Sequence, residues 1–368
     1  MSEDIVYVDA NTLENFMKDV FIGLGVPDED ATIIADVLIT SDKRGIDSHG
    51  IQRCKMYYDR IKEGIYEAIT KIDIIKEGPT TALLDGNCGI GHVIAHKAMK
   101  MAIEKAKKYG LGAVAVKNST HFGIAGYYSL MAIEEGMIGI TVTNARPSIP
   151  PTFGCEPMLG TNPLTVGAPT DEKFPFLIDC ATSIIQRGKV EINARINKPL
   201  PENTVIDDKG EIMTDPNKIL DEMLERKASL LPLGGKGEET AGYKGYGYAT
   251  VVELLSAALQ DGIYLRDTLG IVEDNQKRLK VGHFFLAINA ESFIGVDSFK
   301  KTASKIMRDL RGSRKIPGVE RIYTAGEKEY IAENERRKTG IPLNKSLQND
   351  IKIMQNELGL KKHKFPFS

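Results

Sequence analysis

The feature that most constrains the fold is a regular alternation of strand-like and helix-like segments from Lys71 to about Gly312. Short apolar runs bounded by turn residues predict strands, whereas longer amphipathic runs predict helices. Strands are predicted at 72–76, 81–85, 111–116, 137–143, 164–167, 175–179 and 282–289, and helices at 92–109, 125–135, 217–227, 247–260 and 297–311. Alternation of this kind indicates an α/β fold in which helices cover a sheet.

The chain divides into three predicted parts. Residues 1–75 are predicted to be mostly helical, with an Asn11 or Thr12 cap on the first helix and further helices at 28–38 and 51–62. Residues 76–320 are predicted to form the α/β core, interrupted at 184–245 by an irregular, partly lid-like insertion that contains four prolines. The charged tail, 321–368, predicts helices near 326–338 and 343–358 that present a solvated face or form an arm on a partner subunit.

Composition excludes several classes of protein. The formal net charge of −2 leaves no basic footprint for nucleic acid. No apolar run approaches the roughly 20 residues that a membrane-spanning helix needs, and the acidic start has no secretion-signal pattern. Four cysteines lie far apart without a CxxC pair, which favours free thiols in the cytoplasm.

Two short patterns are set aside. His92 and His96 are spaced to share a metal on one helix face, but no third ligand accompanies them, so no metal site is predicted and a solvated helix face is favoured. The glycines between Asp85 and His92 follow a strand as a Rossmann loop would. Ile94 stands where the third glycine belongs, so the Rossmann type is excluded.

The segment 41–53 carries the clearest chemistry. Ser48, His49 and Arg53 lie within six positions, flanked by glycines, where a loop gives way to a helix. Ser48 is predicted to cap that helix, and its spacing places Arg53 and Tyr57 on one face. An imidazole exchanges a proton near neutral pH, and a guanidinium holds a carboxylate through two hydrogen bonds. These residues predict a site for a 2-hydroxy or 2-oxo acid, although a plain cap and turn would show the same pattern.

A second segment, 117–128, follows an apolar strand and leads into a helix. Polar residues and glycines in that position are typical of sites for anionic cofactor groups. Further along, Leu159–Leu164 predicts a turn that displays a hydroxyl and an amide, and 176–183 predicts a strand ending in an acid and small residues.

Seven segments, in this order, resemble one known family. They are DSHGIQR at 47–53, NSTHFGIAGYY at 118–128, TNARP at 143–147, LGTNPL at 159–164, DCATS at 179–183, GYKGYG at 242–247 and SRKIPG at 313–318. Together they resemble the non-Rossmann, type-2 malate/L-lactate dehydrogenase family, also called sulfolactate-dehydrogenase-like. Within it the chain looks most similar to archaeal malate and sulfolactate dehydrogenases.

The resemblance implies a family-specific, non-Rossmann α/β fold that binds NAD or NADP, with a mixed sheet covered by helices. It also implies a homodimer and hydride transfer at C2 of a small acid. It assigns His49 as proton donor, Ser48 as the residue that orients it, Arg53 as the carboxylate ligand and Thr161 as a further substrate contact. It assigns to the cofactor His121, Phe122, Gly123, Ile124, Ala125, Asp179, Cys180, Ala181, Lys244, Ser313, Arg314 and Lys315.

Substrate choice is predicted from one departure. Imine-reducing relatives carry an Asp where this chain has Lys189, and a cation cannot relay a proton as that carboxylate would. Arg187 and Lys189 therefore favour a second negative group on the substrate, as in malate or sulfolactate, unless both face solvent or cofactor phosphates. A cyclic imine carboxylate or ureidoglycolate is the alternative substrate.

Two further questions stay open in the sequence. His49 and His121 both compete for the role of proton donor, and His49 is favoured because Arg53 lies one turn away. A hydrolase built on Ser48 and His49 is disfavoured, because adjacent residues rarely set the hydroxyl against the imidazole and no GxSxG elbow is present.

Overall fold

A mixed seven-stranded sheet forms the centre of the described chain, residues 5–273 and 275–367 of a computed structural model. The strands are β1 Val6–Val8, β2 Asp73–Glu77, β3 Thr81–Asp85, β4 Leu111–Ser119, β5 Met137–Thr143, β6 Leu164–Ala168, β7 Phe176–Cys180, β8 Val205–Asp207, β9 Ala228–Leu230, β10 Ile271–Glu273, β11 Gln276–Arg278, β12 Val281–Asn289 and β13 Ile341–Leu343. The helices are α1 Ala10–Gly23, α2 Asp28–Lys43, α3 Ile51–Lys62, α4 Gly91–Tyr109, α5 Ala125–Glu134, α6 Arg187–Arg195, α7 Pro216–Leu224, α8 Gly242–Ser256, α9 Val296–Arg311, α10 Glu327–Thr339 and α11 Lys345–Glu357.

The order of the strands in the central sheet is β2-β3-β4-β12-β5-β6-β7. Only β3 and β4 pair in parallel, and the remaining neighbours in this sheet are antiparallel. The α/β class and the mixed sheet predicted from the sequence are confirmed. The long reach of β12, which inserts between β4 and β5, could not be predicted from local patterns.

Five strands of this sheet begin or end along the same side, at the ends of β4, β5 and β7 and the starts of β6 and β12. This side, which runs across the strand ends, is called here the site edge. His283 of β12 pairs with Val116 on one side and with Thr143 on the other, so β4 and β5 run in the same direction and end together. Leu164 pairs with both Val142 and Cys180, which brings the start of β6 and the end of β7 to the same edge. The loops that follow β4, β5 and β7 therefore emerge side by side.

Helices α4 and α5 cover the sheet through a shared apolar core. Its buried members include Ala98, Met99, Val114, Tyr128 and Phe285. Burying a large apolar side chain contributes roughly 1.5–3 kcal/mol, so this layer holds the strands in place beneath the site edge.

A second core joins the two ends of the chain. Phe16 and Ile34 of the N-terminal helices pack in one cluster with Ile351 and Met354 of α11. The first helix begins at Ala10, and its cap is Asp9, whose carboxylate accepts a hydrogen bond from the Thr12 backbone at 3.0 Å. The predicted Asn11 or Thr12 cap is therefore wrong, because an acid one position earlier reaches the free N–H group.

The tail helices pack on their own chain. Arg336 of α10 forms an ion pair with Asp47, and Lys62 of α3 pairs with Glu357 of α11 at 2.5 Å. The two predicted tail helices are present, and their intrachain contacts support the segment 42–62. An arm on a partner subunit stays a prediction.

The insertion is more regular than predicted. Segment 184–245 contains α6, α7 and the pair β8–β9, and it encloses a small apolar cluster of its own that includes Val190, Val205, Ile219 and Leu230. The prolines misled the prediction, because Pro216 occupies the first turn of α7, where a missing N–H costs little. Among the residues described, no helix is both long and apolar enough to span a membrane.

Candidate active site

The start of α3 is held by a buried acid. The backbone N–H of Ile51 donates to Asp42 Oδ2 at 2.8 Å, and the N-cap residue of α3 is Gly50. A Cβ at Gly50 would lie 1.9 Å from Asp42 Oδ1, so only glycine allows this approach. Burial raises the pKa of Asp42 to about 8. The prediction that Ser48 caps the helix is wrong, because Asp42 takes that role from α2.

Ser48 is free for a different partner. Its Oγ lies 2.8 Å from Nδ1 of His49 within a short 3-10 turn, Asp47–His49. The argument that neighbouring residues rarely make this contact fails here, because the tight turn folds one side chain onto the other. A catalytic triad would also need a carboxylate on the second ring nitrogen. Within the described residues, the hydrogen bond of the His49 ring is to Ser48, and no carboxylate contacts the ring.

Arg53 presents its charge to the same space. Its Nε donates to the Ser48 carbonyl at 2.8 Å, which fixes the side chain one turn along α3. No acid pairs with Arg53 in the part of the chain that the structure describes, so its terminal nitrogens remain available. A guanidinium held in this way can bind a carboxylate in a defined orientation.

His121 reaches this group from the site edge, two residues after β4. Its ring stacks on His49 with the centroids 5.6 Å apart. The Tyr57 hydroxyl lies 2.5 Å from His121 Nδ1, so α3 also anchors the second imidazole. The structure therefore brings together Ser48, His49, Arg53 and His121, four of the residues that the sequence assigned to substrate chemistry.

Both imidazoles are neutral in the free protein. Burial, followed by the charge of Arg53, lowers the pKa of His49 to about 4. Burial, then His49 and Arg53, places the pKa of His121 well below its ordinary value. Burial raises the pKa of Tyr57, which keeps its hydroxyl protonated.

Hydrogen bonding separates the roles that the two rings can take. The Gly123 backbone N–H points at His121 Nδ1 at 3.4 Å, and a backbone N–H can only donate. His121 Nδ1 is therefore an acceptor, and the ring carries its proton on Nε2. The Ser48 hydroxyl can donate or accept, so His49 can gain or lose a proton while it keeps its partner.

The residues assigned to the cofactor fall into three groups. Gly126, at the start of α5, donates to Asp179 Oδ2 at 2.8 Å, which joins the loop at 121–125 to the end of β7 with Cys180 and Ala181. The Phe122 side chain is core, stacked on His283 at 4.4 Å, so any ligand contact there would use its backbone. Lys244 is exposed in the first turn of α8.

The third group, Ser313 to Lys315, makes hydrogen bonds only with neighbouring residues in the described chain, and none of them reaches the site. In the described chain, Ser313 Oγ donates to the Leu310 carbonyl and Lys315 Nζ to the Glu320 carbonyl, both local. Their assignment to the cofactor rests on the family resemblance alone.

A small cavity of about 30 Å³ adjoins the loop–strand junction and is lined by Arg44, Ile124, Gly126 and Asp179 among others. Arg44 is only 7% exposed, and its Nη2 is a buried donor without a hydrogen-bond partner in the described residues. A free donor beside these residues suits a group rich in acceptor oxygens, as the phosphates and riboses of a nicotinamide cofactor are.

The structure places the other predicted substrate contacts, Thr161, Arg187 and Lys189, near the site, but within the described residues it shows no contact that would fix their role. The Thr161 carbonyl is bound by the Thr182 backbone N–H at 2.9 Å, which fixes its turn at the site edge. A Cβ at Gly188 would lie 3.4 Å from Ser48 Cβ, so the start of α6 abuts the catalytic turn and places Arg187 and Lys189 beside it. Arg187 is paired with Glu191 at 3.1 Å.

The prediction for His92 is wrong. His92 is fully buried, its ring packs edge-on against Tyr57 at 4.6 Å, and both ring nitrogens lack a hydrogen-bond partner in the described chain. Helix α4 turns this position towards the core beneath α3, which the i, i+4 spacing with the half-buried His96 did not reveal. Among the residues described, no group of three or more His, Cys, Asp or Glu side chains could hold a metal.

Sequence reasoning also missed three contributors. Asp42 caps α3 from another helix. Arg60 lies seven residues after Arg53 in α3, on the same helical face as Arg53 and Tyr57. Arg146 follows β5 at the site edge, within the segment TNARP that carried the family resemblance. The seven-residue spacing on an amphipathic helix was the available signal for Arg60.

The structure brings an arginine without a carboxylate partner in the described chain together with two stacked imidazoles at the site edge. This combination suits an enzyme that acts on a small carboxylic acid. The family described as malate/L-lactate dehydrogenase matches residues 8–352 of this chain. The chain belongs to the malate/L-lactate dehydrogenase family, and its recognition from the sequence is confirmed.

Individual relatives agree with this membership. The chain is 45% identical to malate dehydrogenase from Pyrococcus abyssi, over 98% of this chain and 97% of that protein. It is 40% identical to L-sulfolactate dehydrogenase from Methanocaldococcus jannaschii, over 93% and 94% of the two chains. The crystal structure of malate dehydrogenase from Entamoeba histolytica superposes with a TM-score of 0.95 at 45% identity, covering 99% of this chain and 100% of that one. A ureidoglycolate dehydrogenase from Escherichia coli is more distant, at 28% identity over 91% of this chain and 92% of its own.

Proposed function

We propose that the protein is an NAD(P)-dependent dehydrogenase that interconverts a dianionic 2-hydroxy acid and its 2-oxo acid, L-malate with oxaloacetate or L-sulfolactate with sulfopyruvate. The observation that carries the proposal is the junction of Arg53, His49 and His121, in which an unpaired guanidinium lies beside two stacked, neutral imidazoles. The relatives named as ureidoglycolate dehydrogenases are less similar, at 28% identity. The family resemblance puts Lys189 where imine-reducing relatives have an acid, which also disfavours the imine.

In the reduction direction, Arg53 would hold the substrate carboxylate and His121 would donate its Nε2 proton as a hydrogen bond to the 2-oxo oxygen. A donor aimed at an oxygen where negative charge develops stabilises the transition state. The bound nicotinamide supplies the hydride for C2, and the same ring takes it back in oxidation.

For reduction, the minor protonated form of His49, which carries a proton on each ring nitrogen, would deliver its Nε2 proton to the developing alkoxide, while its Nδ1–H stays hydrogen-bonded to Ser48. In oxidation, neutral His49 takes the hydroxyl proton on the same nitrogen. His121 is poorly suited to that exchange, because protonating Nδ1 would oppose the Gly123 N–H that already points at it. These hydrogen bonds therefore favour His49 over His121 as the residue that exchanges the substrate proton.

For the cofactor, the proposal places the loop 121–125, Asp179, Cys180, Ala181 and Arg44 along one binding surface, with Lys244 at its rim. Ser313, Arg314 and Lys315 are included from the family resemblance. Both NAD and NADP stay open, since no acid that reads the ribose is identified.

The wider setting is proposed on fewer observations. The four cysteines are free thiols, as a cytoplasmic protein would have them. Tyr248, Val251 and Leu254 leave an exposed apolar face on α8 that would suit a second copy in a homodimer. We propose neither nucleic acid nor membrane as a partner.

The proposed function is tested by following NADH and NADPH absorbance while oxaloacetate, sulfopyruvate, pyruvate and a cyclic imine carboxylate are offered in turn. We expect oxaloacetate or sulfopyruvate to be reduced with a kcat/KM about 10- to 150-fold above that for pyruvate, the range that one charge-assisted hydrogen bond gives. Fastest reduction of the imine, or no coenzyme consumption with any 2-oxo acid, would overturn the proposal.

A further inference from the structure

A guanidinium at the site edge has no role in the proposed chemistry so far. Arg146 lies three residues beyond β5, and His121 lies two residues beyond β4. The two strands run in the same direction and are separated by β12 alone, so they are about 10 Å apart. The loops that carry Arg146 and His121 therefore leave the same end of the sheet, two strands apart.

The backbone around Arg146 is rigidly held. The Ala145 N–H donates to Asn162 Oδ1 at 3.2 Å, and Ser148 Oγ donates to the Arg146 carbonyl at 3.1 Å. A Cβ at Gly160 would lie 2.4 Å from the Ala145 carbonyl oxygen, so this turn requires glycine. Because Asn162 belongs to the turn that carries Thr161, Arg146 is fixed beside a predicted substrate contact.

The charge of Arg146 is not neutralised. The side chain is exposed, and in the described chain no hydrogen bond or ion pair engages its guanidinium. Partial desolvation of the guanidinium, then repulsion from Arg60 and Arg187, lowers the pKa of Arg146, and Arg53 acts in the same direction. An anion placed among these cations would relieve the repulsion.

The neighbouring cations are already engaged. Arg187 is paired with Glu191, and Arg60 donates to the Tyr66 hydroxyl and stacks on its ring at 5.2 Å. Arg53 is assigned to the carboxylate next to the reacting carbon. Arg146 is thus the guanidinium of this group that keeps all its donors free.

We propose that Arg146 binds the distal anionic group of the substrate and sets the preference for dianionic over monoanionic 2-oxo acids. The inference rests on the proposed function and names the residue that selects its substrate. Arg146 takes that role in preference to Arg187, which is paired with Glu191, and to Lys189, whose exposed ammonium lacks the planar fork of a guanidinium.

The test compares Arg146→Gln with the double variant Arg187→Gln/Lys189→Gln, using kcat/KM for oxaloacetate and for pyruvate. We expect Arg146→Gln to lower kcat/KM for oxaloacetate about 10- to 150-fold, chiefly through KM, with pyruvate reduction changed less than about threefold. The double variant should keep the preference of the wild type. Titration of NADH fluorescence should give the wild-type Kd for all three proteins, which confirms that each is folded.

An oxaloacetate preference that survives Arg146→Gln, or that disappears only in the double variant, would overturn the inference and leave the proposed function standing. A raised Kd for NADH in Arg146→Gln would also overturn it, since the residue would then serve the cofactor. A wild-type protein that reduces neither acid would reject the proposed function itself.

Discussion

Replacing His49 with Ala is expected to lower turnover about 10²- to 10⁴-fold, the usual loss when a general acid–base is removed. Its Nδ1 lies 2.8 Å from Ser48 Oγ, and its ring stacks on His121, one turn before Arg53. Cofactor affinity should stay nearly unchanged, because His49 belongs to the substrate side of the site. Steady-state kinetics with a 2-oxo acid and NADH titration give the two readouts.

Glutamine variants separate the two imidazoles. His49→Gln should be as inactive as His49→Ala, because an amide cannot exchange a proton. His121→Gln should keep part of its activity, because an amide N–H can still polarise the 2-oxo oxygen. His96→Ala, on the half-buried side of α4, is the matched control. Near-normal turnover in His49→Ala, with activity abolished by His121→Gln, would reverse the two assignments.

The second large effect is expected from Arg53→Lys. An ammonium lacks the planar fork with which the guanidinium holds the Ser48 carbonyl through Nε and offers its terminal nitrogens to a carboxylate, so both the turn and the substrate are anchored less well. We expect KM to rise about 10- to 150-fold and kcat to fall as well, since orientation is lost.

Arg195→Lys is the control for this change, because Arg195 is exposed at the far end of α6. Unchanged kinetics in Arg53→Lys would remove Arg53 from the site. A loss of kcat alone would instead mean that Arg53 supports the turn without binding the carboxylate.

The alternation of apolar runs predicted the seven strands of the sheet almost residue by residue, because most of these strands alternate buried and partly exposed positions and are bounded by turn residues. Helix α3 was predicted with its observed limits, 51–62, from its amphipathic spacing. These are local properties, which a single sequence records well.

What could not be predicted depends on residues far apart in the chain. The Asp42 cap joins α2 to α3, and the Arg336–Asp47 pair joins the tail to the catalytic turn. The loops of Arg146 and His121 leave the same end of the sheet because β12 inserts between β4 and β5 after more than a hundred intervening residues. Local patterns carry no record of such pairings.

The site residues were found through motif chemistry, and their geometry only through the fold. Ser48 was expected as a cap and instead contacts His49, since a 3-10 turn replaced the predicted helix start. His92 was expected on a solvated face and is buried against Tyr57. In both cases packing against a neighbouring helix decided the outcome.

The central claim is that a half-buried, neutral imidazole at residue 49 exchanges the substrate proton. The pH dependence of kcat/KM for oxidation of the 2-hydroxy acid tests it directly. Burial and Arg53 lower the pKa of His49 to about 4, so the base is already neutral throughout the range from about pH 5 to 8. We therefore expect kcat/KM to be flat over that range and to fall only below it, as the imidazole gains a proton.

Sulfolactate is the preferred substrate for this measurement, because its sulfonate does not titrate in the range. The reverse reaction should show kcat/KM falling as pH rises through the same range, since reduction needs the protonated ring. A flat oxidation profile from about pH 5 to 8 is the result predicted for wild-type protein. An inflection near 6.5, the ordinary pKa of a solvated histidine, would contradict it.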